Sequence, residues 1–179
     1  MKKILSIAML AAFCFTAIIS SAQMHSMDKS KRPSPPDSVT QVVNGKTVSI
    51  NYSSPSLKGR VMGVSVEPKK DTVWRAGANE ATVFMVDKDV TINKKTLPAG
   101  KYALFVLVNA DNSWTFIFNK KWNVWGAFDY QKNKDQDALH VTVKPATNAT
   151  STERLKYTID ADGTTSLIWG TTQASFKVW

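Results

Sequence analysis

One cysteine occurs in 179 residues, Cys14, and it lies within an apolar N-terminal run. The rest of the chain has no thiol, which excludes cysteine nucleophiles, disulfide bracing and cysteine-based zinc. Histidine is nearly as scarce, with His25 and His140 the two examples. A histidine-centred triad or a histidine-rich metal site therefore lacks its material. No Gly-x-Ser-x-Gly, no phosphate-cradling Gly-x-x-x-x-Gly-Lys-Ser/Thr and no His-Glu-x-x-His is present. No catalytic residue, metal or cofactor is expected on these grounds. Beyond the N-terminus no stretch is apolar enough to span a bilayer, and no segment carries a helical period.

The N-terminus is the exception. Met1-Lys2-Lys3 opens it, residues 4–19 form an uncharged apolar run, and Ser20, Ser21 and Ala22 close it. A basic start, an apolar middle and small residues at a cleavage point predict a secretory signal peptide over residues 1–22. Cys14 sits in the middle of the run behind Phe13, which is not the position of a lipid-attachment site. An exported protein, periplasmic or secreted, with no membrane span in its mature form is the expectation. The balance of 23 Lys and Arg against 14 Asp and Glu is basic. The lysines are scattered in pairs such as Lys94-Lys95 and Lys120-Lys121, as on solvated loops, so no nucleic-acid partner is expected.

Residues 23–36 carry His25, Pro33, Pro35 and Pro36 without apolar periodicity, and they read as a disordered tether. From Val39 the period is two. Thr47-Val48-Ser49-Ile50-Asn51-Tyr52 alternates, and Asn44-Gly45 before it marks a hairpin because both turn residues need positive φ. Leu139, Val141 and Val143 alternate with polar neighbours, as do Leu155, Tyr157 and Ile159. Trp114, Phe116 and Phe118 share a face. Residues 102–108 are continuously apolar, which predicts a central strand covered on both sides. With no amphipathic helix to cover them, such strands must bury their faces against one another. The expectation is a single all-β domain over residues 37–179. It should be an antiparallel β-sandwich, jelly-roll or immunoglobulin-like, with little or no helix. Long breaks at residues 53–73 and 120–137 are candidate functional loops.

Chemistry concentrates in three places. Ser56-Leu57-Lys58-Gly59-Arg60 and Trp74-Arg75-Ala76-Gly77-Ala78-Asn79-Glu80 together hold Lys58, Arg60, Arg75, Asn79 and Glu80. Two arginines and a lysine can grip a carboxylate, sulfate or phosphate, arginine with a two-pronged geometry. The structural alternative pairs Arg75 with Glu80 and uses Asn79 to cap a turn. Trp122 and Trp125 could form an aromatic platform for sugars, although burial with Phe128 as a plug at one end of the sandwich is the commoner fate of large aromatics. Asp160-Ala161-Asp162-Gly163 resembles the start of a calcium loop but lacks the later ligands, so a local turn is expected. Asp135 and Asp137 read as solvated loop residues.

The same segments resemble a bacterial family known as domain of unknown function 2911. The resemblance runs from Ser54-Pro55 and Lys58-Gly59-Arg60 through Val73-Trp74-Arg75-Ala76-Gly77-Ala78-Asn79-Glu80-Ala81-Thr82. It continues in Leu97-Pro98-Ala99-Gly100-Lys101-Tyr102 and Trp114-Thr115-Phe116-Ile117-Phe118-Asn119-Lys120, and it includes Trp125-Gly126. It implies an exported protein of Bacteroidota-like bacteria and supplies no reaction, ligand or catalytic residue. Members often place Tyr-Gly before the Val-Trp-Arg block, where this chain has Glu67-Pro68-Lys69-Lys70-Asp71-Thr72. Asp37-Ser38-Val39 and Asp71-Thr72-Val73 match the Asp-Ser/Thr-apolar pattern of O-glycosylation in such bacteria, a pattern short enough to recur by chance.

Three functions follow. The first is a non-catalytic binding module for a glycan or small anion, built on the basic set. The second is an envelope interaction protein with Trp122, Trp125, Phe176, Val178 and Trp179 on its contact face. The third is a hydrolase using Glu80 beside Arg75, for which no second carboxylate is evident.

Overall fold

The computed structural model describes residues 28–179. The expected signal segment and His25 lie outside the described residues. Residues 28–32 carry a 3-10 turn at Lys29–Lys31, capped by the Asp28 carboxylate accepting from the Ser30 amide at 3.0 Å. Pro33–Trp179 forms a separate compact unit.

That unit opens with β1 (Pro36–Val43) and β2 (Lys46–Ser53), joined by the expected two-residue turn, with Asn44 at φ 51° and Gly45 at φ 73°. Both angles suit a turn whose twist matches the paired strands. There follow β3 (Val73–Trp74), β4 (Thr82–Val86), β5 (Val90–Ile92), β6 (Lys95–Leu97), β7 (Gly100–Val108) and β8 (Trp114–Asn119). The last three strands are β9 (Asp137–Val143), β10 (Ala146–Ile159) and β11 (Thr164–Lys177). The main sheet runs β1-β2-β4-β7-β8-β9, with β3 also on β7, and every strand pair is antiparallel. The other layer is the long β10–β11 hairpin with the short β5–β6 hairpin. The sheets are antiparallel, as the two-residue periodicity requires, and their strands pack as two unequal layers.

The core lies between the layers. Ile50, Phe84, Leu104, Phe116 and Phe118 of the main sheet meet Leu155, Tyr157, Leu167, Trp169 and Phe176 of the hairpin. Phe176 makes edge-on contacts with Phe116 at 4.9 Å, Phe118 at 5.6 Å and Phe84 at 6.2 Å between ring centres. Such pairs add about 0.5–1.5 kcal/mol each to the effect of burial. Phe176 and Val178 are thus core residues and not part of an outer contact face. Trp179 is half exposed, with the Lys177 ammonium 4.5 Å from its ring centre.

Strand β7 is covered on both sides, as its unbroken apolar run requires. Tyr102, Leu104 and Val106 face the hairpin. Ala103 and Phe105 face a second cluster with Ala81, Ile117 and Tyr130. Its cover is a 3-10 segment at Tyr130–Gln136, whose Tyr130 ring meets Phe105 edge-on at 5.3 Å. Sequence periodicity missed this segment because two 3-10 turns are too short to display one. The expected aromatic plug is also corrected. Trp122, Trp125 and Phe128 are 38, 56 and 77% exposed, and Tyr130 is the buried aromatic of that loop. Asp137 is not a solvated loop residue either. Its carboxylate accepts from Tyr130 Oη (2.7 Å) and Asn119 Nδ2 (2.7 Å) and is bonded to His140 Nε2 (2.8 Å). Among the described residues no helix is long and apolar enough to cross a membrane, and no cluster of metal-binding side chains occurs.

The 160–163 segment is the turn between β10 and β11. Asp162 accepts from the Thr164 amide and hydroxyl and from the Lys177 ammonium at 2.9 Å, and these bonds lower its pKa to about 2, Lys177 contributing most. Its folded value lies below the ordinary 3.8. The stability it contributes is therefore present above about pH 4 and lost as pH falls through about 2. Carbon-detected NMR titration should show this low midpoint, and Lys177→Met should move it back toward the ordinary value. At the same turn Gly163 has φ 86°, and a Cβ there would collide with the Val178 carbonyl. Gly163→Ala should lower the melting temperature by roughly 6–12 °C, for a cost of about 3 kcal/mol. Gly45→Ala meets nothing within 4 Å and should lose only the backbone penalty of about 1–2 kcal/mol. Calorimetry on the two variants separates collision from conformation.

A basic and aromatic cleft as the candidate functional site

The site is built on the connection between β3 and β4. Trp74 pairs with Val106 of β7, buries its indole, and donates from Nε1 to the Gly77 carbonyl at 3.0 Å. The chain then turns sharply through Ala76 at φ 55° and Asn79 at φ 58°. Left-handed backbone at non-glycine residues costs about 1–3 kcal/mol each and persists only where the surroundings over-determine it. Here they do. The buried Ala76 carbonyl accepts from Thr82 Oγ1 (3.0 Å) and Tyr157 Oη (2.8 Å). Burial pushes the Tyr157 pKa far up, so its hydroxyl stays a donor. The Ala78 amide donates to Ser53 O (3.1 Å), the Thr82 amide to Arg75 O (3.2 Å), and Asn79 Nδ2 to Ser34 O (3.0 Å). Ser34, at the end of the expected tether, is thereby bonded to the site.

This frame fixes Arg75. Its guanidinium is half-buried, Nη1 donates to Asn79 O at 3.0 Å, and the Phe128 ring centre lies 5.7 Å from its central carbon. Nε and Nη2 have no hydrogen-bond partner among the described residues. Burial lowers the Arg75 pKa and the Glu67 charge partly restores it. Arginine starts so high that it stays cationic.

Around Arg75 lies a cleft of about 460 Å³. Trp74 and Trp169 form its floor, stacked at 6.0 Å and 16°. Pro55, Arg60, Glu67 and Lys69 come from the 54–72 loop, Arg75, Ala78 and Asn79 from the β3–β4 turn, and Trp125 from the aromatic loop. A second cavity of about 220 Å³ adjoins it, sharing Glu67, Trp74 and Arg75 and adding Thr72, Val73, Ala127 and Phe128. A separate cavity of about 510 Å³ is lined mainly by Met62, Val64, Pro68, Val108, Trp114 and Pro145. Lys70 is its one charged wall residue, and the Lys70 ammonium lies 3.4 Å from Ala110 O. It lacks the converging polar groups that orient a ligand.

The residues singled out in the sequence divide. Arg60, Arg75 and Asn79 line one cleft with Trp125. Arg60 spends Nε and Nη2 on the Leu57 and Ser56 carbonyls at 2.8 and 2.7 Å. Lys58 is exposed on a turn at φ 50°, where its amide donates to Glu153 Oε1 at 2.7 Å, and it is outside the cleft lining. Glu80 is also outside that lining, and its backbone pairs with Trp125 in an isolated antiparallel bridge. Trp122 lies under the Lys101 ammonium, 5.0 Å from its ring centre, away from the cleft lining. Sequence reasoning did not find Glu67, Lys69 or Trp169. The two-residue alternation of Leu167 and Trp169 carried the signal for Trp169. Glu67 and Lys69 lie in a loop without a period and had none.

The molecule is thus an all-β, two-layer protein with a basic and aromatic surface cleft held by a strained turn that hydrogen bonds brace. A family model described as Protein of unknown function (DUF2911) matches residues 34–178, and the chain belongs to that family. No curated protein and no solved structure matches it.

The turn's rigidity is testable through the Ala76 carbonyl. Thr82→Val and Tyr157→Phe should each cost about 1 kcal/mol, since the other hydroxyl still satisfies the oxygen. The double variant should cost about 1 kcal/mol or more beyond the sum, because the carbonyl is then buried without a donor. Chemical denaturation of the four proteins in the cycle measures this coupling.

Proposed function

We propose that this protein is an exported, non-catalytic binding module whose cleft takes a carboxylate-bearing sugar. The observation that carries the reading is Arg75, a half-buried cation on a rigid turn with Nε and Nη2 still open. That edge of a guanidinium matches the two oxygens of a carboxylate. Trp125, 56% exposed, lines the same cleft, and aromatic rings pack against the apolar faces of sugars. Glu67 narrows the choice. One of its oxygens accepts from the Lys69 amide at 2.9 Å, which leaves the other for a sugar hydroxyl. Its charge opposes a doubly charged sulfate or phosphate ligand more than a single carboxylate.

Binding is favoured over hydrolysis because Glu67 is the one carboxylate among the described residues that line the cleft. Glycoside hydrolysis by the common routes needs two. Export rests on the N-terminal pattern of a basic start, an apolar run and small residues.

The test is thermal unfolding with glucuronate, galacturonate, glucose and galactose. An acid sugar at a hundredfold excess over its dissociation constant should raise the midpoint by roughly 5–10 °C, and the neutral sugars should do little. Arg75→Met should remove the shift while remaining folded. Equal shifts with neutral and acidic sugars, or a full shift in folded Arg75→Met, would overturn the reading.

A further inference from the structure

The cleft and the smaller cavity beside it are two lobes of one surface. They share Glu67, Trp74 and Arg75 as their common wall, so Arg75 lies at the junction rather than at a closed end. The larger lobe falls in the size range of ligand sites, about 300–1,000 Å³, and the smaller falls below it. The smaller lobe therefore makes sense as an extension of the first. Each lobe has its own exposed aromatic, Trp125 in the larger and Phe128 in the smaller.

Phe128 is 77% exposed, the highest value among the large hydrophobic residues of the described chain that face solvent. A ring so placed loses little by being moved into solution, yet it is held beside the guanidinium at 5.7 Å. Gly126 is what brings it there. At φ 68°, a Cβ on Gly126 would lie 3.0 Å from Arg75 Nη1 and 2.9 Å from Phe128 Cε2. The aromatic loop closes onto Arg75 only because that side chain is missing. The result is an order of aromatic, cation, aromatic along the surface, with Glu67 on both sides as an acceptor.

We infer that the two lobes bind an acidic oligosaccharide through an internal uronic acid unit, its carboxylate on Arg75 and the neighbouring sugar against Phe128. This rests on the reading of the cleft as an acid-sugar site and adds where along the chain the sugar is gripped. A site for a chain end or a free monosaccharide would need one lobe only. Glu67 again sets the chemistry, since its charge disfavours a densely sulfated chain and accepts hydroxyls of a sparsely charged one.

Isothermal titration calorimetry on the full chain tests this, with galacturonate against linear trigalacturonate and glucuronate against a hyaluronan tetrasaccharide. In at least one series the oligosaccharide should bind about tenfold or more tightly than its monosaccharide, the gain expected of one stacked ring. Phe128→Ala should abolish that gain, so that in this variant oligosaccharide and monosaccharide bind within about twofold of each other, whereas Arg75→Met should weaken both ligands by about tenfold or more. Equal affinities for monomer and oligomer in the unsubstituted protein would overturn the two-lobe inference and leave the acid-sugar reading standing. A gain that survives Phe128→Ala would overturn it as well. Failure of every uronate to bind would remove both.

Discussion

The carbonyl oxygen of Ala76 joins the two layers of this protein to its cleft. It accepts one hydroxyl from Thr82 at the start of β4 in the main sheet and another from Tyr157 in the β10–β11 hairpin. A buried carbonyl without a donor costs about 1–3 kcal/mol, and with one donor from each layer the turn is tied to both. Tyr157 is itself fixed by its edge-on contact with Tyr52 at 4.8 Å, and Tyr52 donates to Asp37 on β1 at 2.8 Å. The direction of Arg75 thus depends on hydrogen bonds and ring contacts that reach the first strand. That dependence gives a loop residue the positional precision of a strand residue, which is what a preorganised binding group requires.

The unequal layers explain why the chain carries its aromatics where it does. A seven-strand sheet has more apolar face than one hairpin can cover. The hairpin covers one face through Phe176 and Trp169, and the short β5–β6 pair extends that cover. The opposite face of β7 and β8 is sealed by Tyr130, whose hydroxyl must find an acceptor once buried. Asp137 supplies it at 2.7 Å, and the loop that delivers Tyr130 is also the loop that displays Trp122, Trp125 and Phe128. Core cover and candidate ligand platform are therefore one segment, divided by which aromatic points inward.

Much of the fold was legible because strands have a period of two. Asn44-Gly45 located a turn, the unbroken run at residues 102–108 located the central strand, and the alternation at Leu155, Tyr157 and Ile159 identified an inward face. The site was legible only in part. Arg60, Arg75 and Asn79 stood out as charged or polar residues beside glycines, and they do share a wall. Lys58 and Glu80 stood out for the same reason and fall elsewhere, because a loop has no period to say which way its side chains turn. Trp169 reaches the cleft from a position remote in sequence and Glu67 from a loop without a period, and local pattern records neither. The exposure of Trp125 and Phe128 ran against the general preference of large aromatics for burial, and Tyr130 fills the place they would have taken.

The class of the fold, the places of its main turns, the absence of thiol chemistry beyond the N-terminal run and the family resemblance were all legible along the chain. These depend on composition, on short periods and on residues adjacent in the chain. Folding in three dimensions was needed to make the layers unequal, to seal the second face with Tyr130 rather than a tryptophan, and to bring Arg75 into one cleft with Glu67 and Trp125 rather than Lys58. Those outcomes depend on which distant strands pair and on how two buried hydroxyls satisfy one carbonyl. Interactions between residues far apart in sequence set them, and no local pattern encodes their direction.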